Sequence, residues 1–282
     1  MVERRVPSAR GYLLMLKLRA EAVSRGLTVA DKTRLLLWAL VDSIPNIIIR
    51  RSAFLEHLAL RVKNQLAKRA TLNFGKYKLR CVDSECIAII HHEFERWMWD
   101  HLRVCRGCVF VDVGAHVGKY TVPVAKIVGD EGLVVAVEPH PENYETLVEN
   151  IELNGLSNVV ALNIAAWSGE GALKLFIGDS GGHHSLKVNR GLGSVEVRAR
   201  ALDDVLDELG VERVDCVKID VEGAELEVLK GLVKTLERFR PTVIVEAWEP
   251  ERIREFAEER GYAMRRISPE TPPIYYVLEP MR

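Results

Sequence analysis

Val109–Tyr120 reads VFVDVGAHVGKY, and the rest of the chain is arranged around it. Val109, Phe110, Val111 and Val113 form an apolar run with Asp112 set among them, followed by Gly114 and Gly118 and then the apolar-periodic stretch Tyr120–Val128. β-Branched residues in such a run suit a strand buried on both faces. The sequence therefore predicts a strand, a tight glycine turn and a helix. Gly114 can take φ > 0, and its missing Cβ would let a ligand come close to the backbone. The free N–H groups at the helix start would face a polar or anionic ligand group.

A second apolar run, Leu133–Val137, ends in Glu138, 26 positions after Asp112. A carboxylate at the tip of the neighbouring strand can accept both hydroxyls of a ribose. The turn is not G-x-G-x-x-G: one glycine precedes the helix, with an acid two residues before it. That acid would repel a pyrophosphate and suit an ammonium or a sulfonium. S-adenosylmethionine carries a ribose, both cations and a carboxylate, so it fits better than NAD or ATP. The chain has no G-x-x-x-x-G-K-[ST] loop, which argues against nucleotide hydrolysis.

The βα alternation beyond Val109 is regular. Strands are predicted at Val109–Val113, Leu133–Val137, Val159–Asn163, Cys216–Asp220 and Thr242–Glu246. Helices are predicted at Tyr120–Val128, Glu142–Asn154, Glu222–Lys230 and Pro250–Arg260. This pattern implies a parallel sheet covered on both faces. Tyr262–Ser268 and Ile274–Leu278 add two short strands around a proline turn, which favours antiparallel pairing. Gly178–Gly193, GDSGGHHSLKVNRGLG, reads either as a lid over the strand ends or as a hairpin tip between Leu173–Ile177 and Val195–Ala199.

Before Val109 the sequence reads as helices at Gly11–Ser24, Asp31–Val41 (Asp31 as cap) and Phe54–Arg69 (Ser52 as cap), with Pro45 breaking the pattern. A two-stranded segment is expected over Lys76–Ile90 and a helix over His91–Val104. The aromatic side of that last helix would pack under the sheet, unless Glu93 or Glu95 reaches the cofactor's methionine end. The domains expected are a helical extension over 1–75 and a catalytic domain over 76–282.

Charge divides the 282 residues unevenly. Residues 1–80 hold 17 Lys/Arg against 5 Asp/Glu, whereas 81–282 hold 22 against 35, for a net charge of −1. Such asymmetry points to an anionic partner for the first part, with docking on the chain's own acidic part or on a twin subunit as the alternative. Leu35–Ile49, the most apolar stretch, is broken by Asp42, Ser43, Pro45 and Asn46 and is too short to cross a ~30 Å hydrocarbon core. Peripheral membrane contact stays open. No secretory signal is recognisable, so a soluble cytoplasmic protein is the expectation. The single Gln, Gln65, among abundant Glu, Arg and Val leans toward a thermophilic source. Cys81, Cys86, Cys105 and Cys108 leave three readings open: a four-thiolate zinc site, disulfides, or free buried thiols. Free thiols are the expected state, and no metal is assigned.

Three blocks, FVDVGAHVGKYT (Phe110–Thr121), VEPHPENYETLVENIELNGLSNV (Val137–Val159) and VKIDVEGAELEVLKG (Val217–Gly231), the last followed by PTVIVEAWEP (Pro241–Pro250), resemble the FkbM-type class I methyltransferases. The likeness spans about 90–280 and does not reach 1–75. It implies a Rossmann-like fold with a mostly parallel seven-stranded sheet and an antiparallel C-terminal strand. It also implies methyl transfer from S-adenosylmethionine, typically to a hydroxyl of a small molecule, a glycan or a lipid-linked sugar. Carried over by position, Asp112, Gly114, Ala115 and Gly118 would bracket the methionine part, and His116, Tyr120, Thr121 and Pro139 are counted with the cofactor-binding residues. Glu138 would hold the ribose, Asn163–Ala166 (Asn163 and Ala165 foremost) would border the adenine, and Asp220 would face the sulfonium region. His116 departs from the family's usual Asn and adds a titrating group.

A hydroxyl is a weak nucleophile and needs a base nearby, a contribution of about 10²–10⁴-fold. Candidates are Asp220, His183, His184, Glu222 and Glu246. Glu222 would otherwise cap a helix, and Glu246 would otherwise pair with Asp220 around a cation. Two other functions stay open: RNA methylation using the basic segment, and a scaffold that keeps the fold without the chemistry. Oligomeric state is not readable, and a homo-oligomer is among the alternatives.

Overall fold

The computed structural model describes residues 9–44, 52–91, 94–178, 180–269 and 274–281. The expected break at Pro45 and the residue Glu93 lie outside them. The chain forms two compact units, Met1–Phe94 and Glu95–Arg282.

The first unit carries α1 (Ala9–Arg25), α2 (Val29–Asp42), α3 (Ala53–Ala67), a hairpin of β1 (Thr71–Asn73) and β2 (Lys78–Arg80), and α4 (Ser84–Ile89). The cap of α2 is Thr28, not Asp31: the Thr28 hydroxyl accepts from the Asp31 N–H, and the Asp31 carboxylate accepts from the Thr28 N–H at 3.0 Å. Ser52 flanks α3 without a side-chain cap bond. Asp31 also accepts from the Thr71 N–H at 3.2 Å, and the Leu27 N–H donates to the Thr71 carbonyl. These bonds tie the hairpin to the helices. Residues 75 and 76, the expected domain boundary, therefore lie in the hairpin's turn. The expected strand pair over Lys76–Ile90 is corrected too, because Asp83 accepts from the Cys86 N–H and starts a helix there.

The second unit opens with a 3₁₀ turn, Arg96–Asp100, instead of a longer helix. Glu95 sits at φ 55°, outside helical geometry, and breaks the run before it can propagate. The aromatic side still packs as expected: Trp97 lies 5.3 Å from the Tyr275 ring and Trp99 5.5 Å from Tyr120. Then follow β3 (Val109–Val113), α5 (Thr121–Val128), β4 (Leu133–Val137), α6 (Pro141–Leu153), β5 (Val159–Leu162), β6 (Ala165–Ala166), β7 (Gly171–Phe176), β8 (Ser194–Arg200) and α7 (Leu202–Glu208). The unit closes with β9 (Cys216–Ile219), α8 (Glu225–Lys230), α9 (Val233–Phe239), β10 (Thr242–Glu246), α10 (Pro250–Glu258), β11 (Tyr262–Arg266) and β12 (Tyr275–Pro280).

Seven strands form one sheet in the order β11-β12-β10-β9-β3-β4-β5, in which only β12 runs against its neighbours. β6, β8 and β7 form a separate small sheet. One face of the main sheet buries Val111, Val113, Val135, Val217, Ile219 and Val245; the other buries Phe110, Val134, Cys216, Ile244, Tyr120 and Tyr275. The chain leaves β3 toward β4 and β5, and later returns on its other side as β9 and β10. The sheet therefore has its switch point between β3 and β9, where open α/β sheets bind ligands.

Cys105 and Cys108 form a disulfide with Cα atoms 5.3 Å apart, which corrects the expectation of free thiols for this pair. The Cys108 N–H bonds to the Cys105 carbonyl, and this tight turn brings the two Cα atoms within bridging range. Cys81, Cys86 and Cys216 are free and buried. Among the described residues no helix is long and apolar enough to cross a membrane.

Candidate active site

Register builds the site. Asp112 on β3 stands directly opposite Lys218 on β9. Both are buried, and Lys218 Nζ lies 3.6 Å from Asp112 Oδ1 and 3.3 Å from Asp220 Oδ2. Burial alone would lower the Lys218 pKa; the Asp220 and Asp112 carboxylates outweigh it and raise it. Thr121 donates to Asp112 Oδ2 at 2.6 Å. The acid of the D-V-G turn is thus held by Lys218 and Thr121.

Gly114 has φ 79°, and a Cβ there would sit 1.8 Å from the Asp220 carbonyl. The expected open space beside Gly114 is filled by the backbone that follows β9, so tight strand-end packing is what requires the glycine. Gly118 (φ 93°) is similarly pressed against Leu147 and Val122 of flanking helices. Ala115 is buried, and its N–H and that of Gly114 both bond to the Val137 carbonyl at 3.0 and 2.9 Å, folding the turn across the end of β4.

At the tip of β4, Glu138 is 5% exposed. Its Oε2 accepts from the His116 N–H at 2.8 Å, and its Oε1 from the His140 N–H at 2.9 Å and from Asn143 Nδ2 at 3.4 Å. Burial pushes its pKa up to about 7 against the pull of those donors. Exposed Asn163 donates to the carbonyls of Glu138 and Pro139, so it braces this corner. Ala165 is buried against Leu175 and Val197 in the small sheet's core.

Loop 178–193 is the hairpin connection that was one of its two expected readings. It joins β7 to β8, and its described residues fold over the strand ends. The Gly181 carbonyl accepts from Asn143 Nδ2 at 2.8 Å. The His184 ring stacks on His140 at 3.8 Å, and Ser185 Oγ donates to the Glu222 carbonyl at 2.6 Å. His184 Nδ1 accepts from the Gly178 N–H, and burial with neighbouring imidazoles lowers its pKa to about 3. With that lone pair used, His184 is set aside as a base. His183 Nδ1 lies 3.2 Å from Ser180 Oγ.

The acids gather at the ends of β9 and β10. Asp220 accepts from the Tyr275 hydroxyl at 3.0 Å, and burial, which would raise its pKa, is overcome by Lys218, Glu246 and Tyr275. Burial and then the Asp220 charge push Glu246 up to about 10, so at neutral pH it is a neutral carboxyl bonded to Asp220. Glu222 is not the expected cap. Helix α8 begins only at Glu225, whose carboxylate accepts from the Gly223 N–H at 2.7 Å. Glu222 is held at φ 53° instead, with its side chain 15% exposed and Arg190 4.0 Å away. Burial and Asp220 raise its pKa to about 7. Glu95 accepts from Lys119 Nζ at 2.6 Å and from the Tyr120 hydroxyl at 2.8 Å, which fixes Tyr120 beneath Lys218.

The sequence reading missed Lys218, Tyr275, Lys119 and His140. Lys218 left a signal, a charge inside the buried run CVKI; Tyr275 left none, because strand register alone delivers it.

Between the ordinary carboxylate range and about 10, folded Glu246 keeps a proton that the unfolded chain has released. Its contribution to stability therefore falls as pH rises through that window. Glu246→Gln places a neutral donor against Asp220 at every pH. It is expected to match the parent near pH 4 and to be more stable by about 1–2 kcal/mol at pH 8 in denaturant unfolding. A less stable variant at pH 8 would show that Glu246 is ionised.

The donor set suits S-adenosylmethionine. Glu246 Oε2 and His140 Nδ1 are buried without a hydrogen-bond partner. They lie with the ionised Asp220 and the part-used Glu138 carboxylate at the same edge of the sheet. Hydroxyl groups, such as those of a ribose, can fill such open positions.

A sheet of this order, with acids at its switch point, defines the Rossmann-like methyltransferase class. Residues 112–264 match the methyltransferase FkbM domain. The chain is 32% identical over 199 residues to methyltransferase sdnD of Sordaria araneosa, covering 58% of this chain and 76% of that one. It is 31% identical over 129 residues to the hexuronic acid methyltransferase AglP of Haloferax volcanii, covering 46% of this chain and 52% of that one. The alignment thus spans about half of the second relative's length. The crystal structure of an FkbM methyltransferase from Methylobacillus flagellatus KT superposes at TM-score 0.47 with 13% identity, over 95% of this chain and 60% of that one. The chain belongs to the FkbM methyltransferase family. It is a methyltransferase, and its cofactor is S-adenosylmethionine.

Proposed function

We propose that the chain methylates a hydroxyl of a sugar or sugar-like small molecule, with Glu222 as the base. The observation that carries this reading is Glu222 itself: a largely buried carboxylate beside Asp220 at the strand ends, with its pKa raised to about 7. A base poised near the working pH combines the right protonation state with adequate driving force. Asp220, ionised and bound by Lys218 and Tyr275, is the poorer base and the better counter-charge to a cation. His183 contributes its field to Glu222.

The bound cofactor supplies an electrophilic methyl on a cationic sulfur. Glu138 would take the ribose hydroxyls with Pro139 beside it, and Asn163 would border the adenine end, with Ala165 behind it in the small sheet's core. The Gly114–Gly118 turn, with His116 and Ala115, backs the methionine part, while Tyr120, Thr121 and Asp112 hold that turn in place. On the acceptor side, Trp248 is 46% exposed, and its ring passes 3.6 Å from where a Cβ on Gly223 would stand. A flat exposed indole next to a base suits the apolar face of a sugar ring, and Arg190 suits an acidic substituent. The relative named as a hexuronic acid methyltransferase supports this acceptor class.

The test is transfer of labelled methyl from S-adenosylmethionine to neutral hexosides and hexuronosides. Methyl ethers that survive mild alkali are expected. An alkali-labile methyl ester would contradict the reading, since a carboxylate acceptor needs no base.

A further inference from the structure

The first unit exposes apolar side chains that its own packing leaves uncovered. Trp38 Nε1 donates to Ser84 Oγ, whose backbone N–H bonds to Asn64, and Lys63 pairs with Asp42 at the end of α2. α2 therefore meets the second half of α3. The first turns of α3 project past that contact, and every described residue from Phe54 to Leu58 is exposed. Phe54 is 72% exposed, and Leu55 and Leu58 follow at helix spacing. Leu37, Leu40 and Ile44 fall at i, i+3 and i+7, and they are exposed as well. A run of this size on a soluble surface marks a partner.

We propose that this tip of α2 and α3 docks on an anionic lipid surface. Charge decides between occupants. Residues 1–80 carry 17 Lys/Arg against 5 Asp/Glu; Arg50 and Arg51 directly precede the first turn of α3 in the sequence, Arg61 is exposed further along that helix, and Glu56 is the one acid among Phe54–Leu58. A second copy would bring the same excess of positive charge to a symmetric contact, with like charges facing each other. An anionic bilayer takes the apolar side chains below the headgroups and the basic ones at them, as interfacial helices do. The assignment concerns the first unit alone and is independent of the acceptor.

The test is flotation of the full chain with vesicles of phosphatidylcholine alone and with vesicles of phosphatidylcholine mixed with phosphatidylglycerol, whose anionic headgroups attract basic segments. The chain is expected to float with the anionic vesicles and not with the neutral ones. A triple substitution, Leu40→Glu, Phe54→Glu and Leu58→Glu, touches exposed positions only. It should retain the parent's thermal midpoint and lose vesicle binding by about tenfold or more. Three results would overturn the proposal: a chain that stays in the buffer fraction at low salt, a dimer in light scattering that the triple substitution dissociates, or tRNA retention that it abolishes.

Discussion

Replacing Glu222 by Gln is expected to lower kcat by about 10²–10⁴-fold while leaving cofactor affinity within about twofold, because in the proposed function the side chain removed is the proton acceptor and not a cofactor ligand. The pH profile carries the sharper signature. A base must be ionised to act, so the parent's rate should rise with pH through about 7, following Glu222. The variant's residual rate should lose that limb. If Asp220 were the base, its depressed pKa would leave the rate flat down into the ordinary carboxylate range or below it. A profile that stays flat from pH 5 to 9 in the parent would remove Glu222 from the mechanism. The left-handed backbone at this position, φ 53°, belongs to the same account. A strained non-glycine residue costs of order 1 kcal/mol and persists where its neighbours dictate it. Here Ser185 grips the Glu222 carbonyl and Glu225 the next N–H.

Lys218→Met is expected to cost about 3–5 kcal/mol at neutral pH, the loss typical of stripping one partner from a buried ion pair. Met fills similar volume, so the effect is electrostatic. Asp112, 1% exposed at its side chain, is left with only the Thr121 hydroxyl, and Asp220 with Tyr275 and Glu246. Two carboxylates without their shared cation are relieved by protonation, so the loss should shrink below pH 5. Denaturant unfolding at pH 7.5 and 4.5 measures both numbers. A loss under 1 kcal/mol at pH 7.5 would mean that Lys218 is not the charge that holds this layer together.

The central strands were legible because each is an unbroken buried run: VFVDV, LVVAV and TVIVE begin and end where the sequence placed them. What escaped depends on partners distant in the chain. Helix α9 has no capping side chain of its own. Its first N–H groups, on Lys234 and Thr235, are taken by Asp203 of α7, some thirty residues earlier. No local pattern shows such a cap. The same holds in the site. The D-V-G turn and Glu138 were readable as motifs. That Asp112 faces Lys218, and that Tyr275 reaches Asp220, follows from register across β3, β9, β10 and β12. The glycine turn was found for an incomplete reason: Gly114 makes room for the protein's own backbone.

Calorimetric titration of S-adenosylmethionine into the parent and into Glu138→Ala goes to the heart of the account. The parent should bind, and the variant should bind about tenfold or more weakly, because the proposed ribose site loses the carboxylate at the tip of β4 that would accept its hydroxyls. Equal affinities would place the nucleoside elsewhere, and no heat from the parent at millimolar cofactor would contradict the site as a whole.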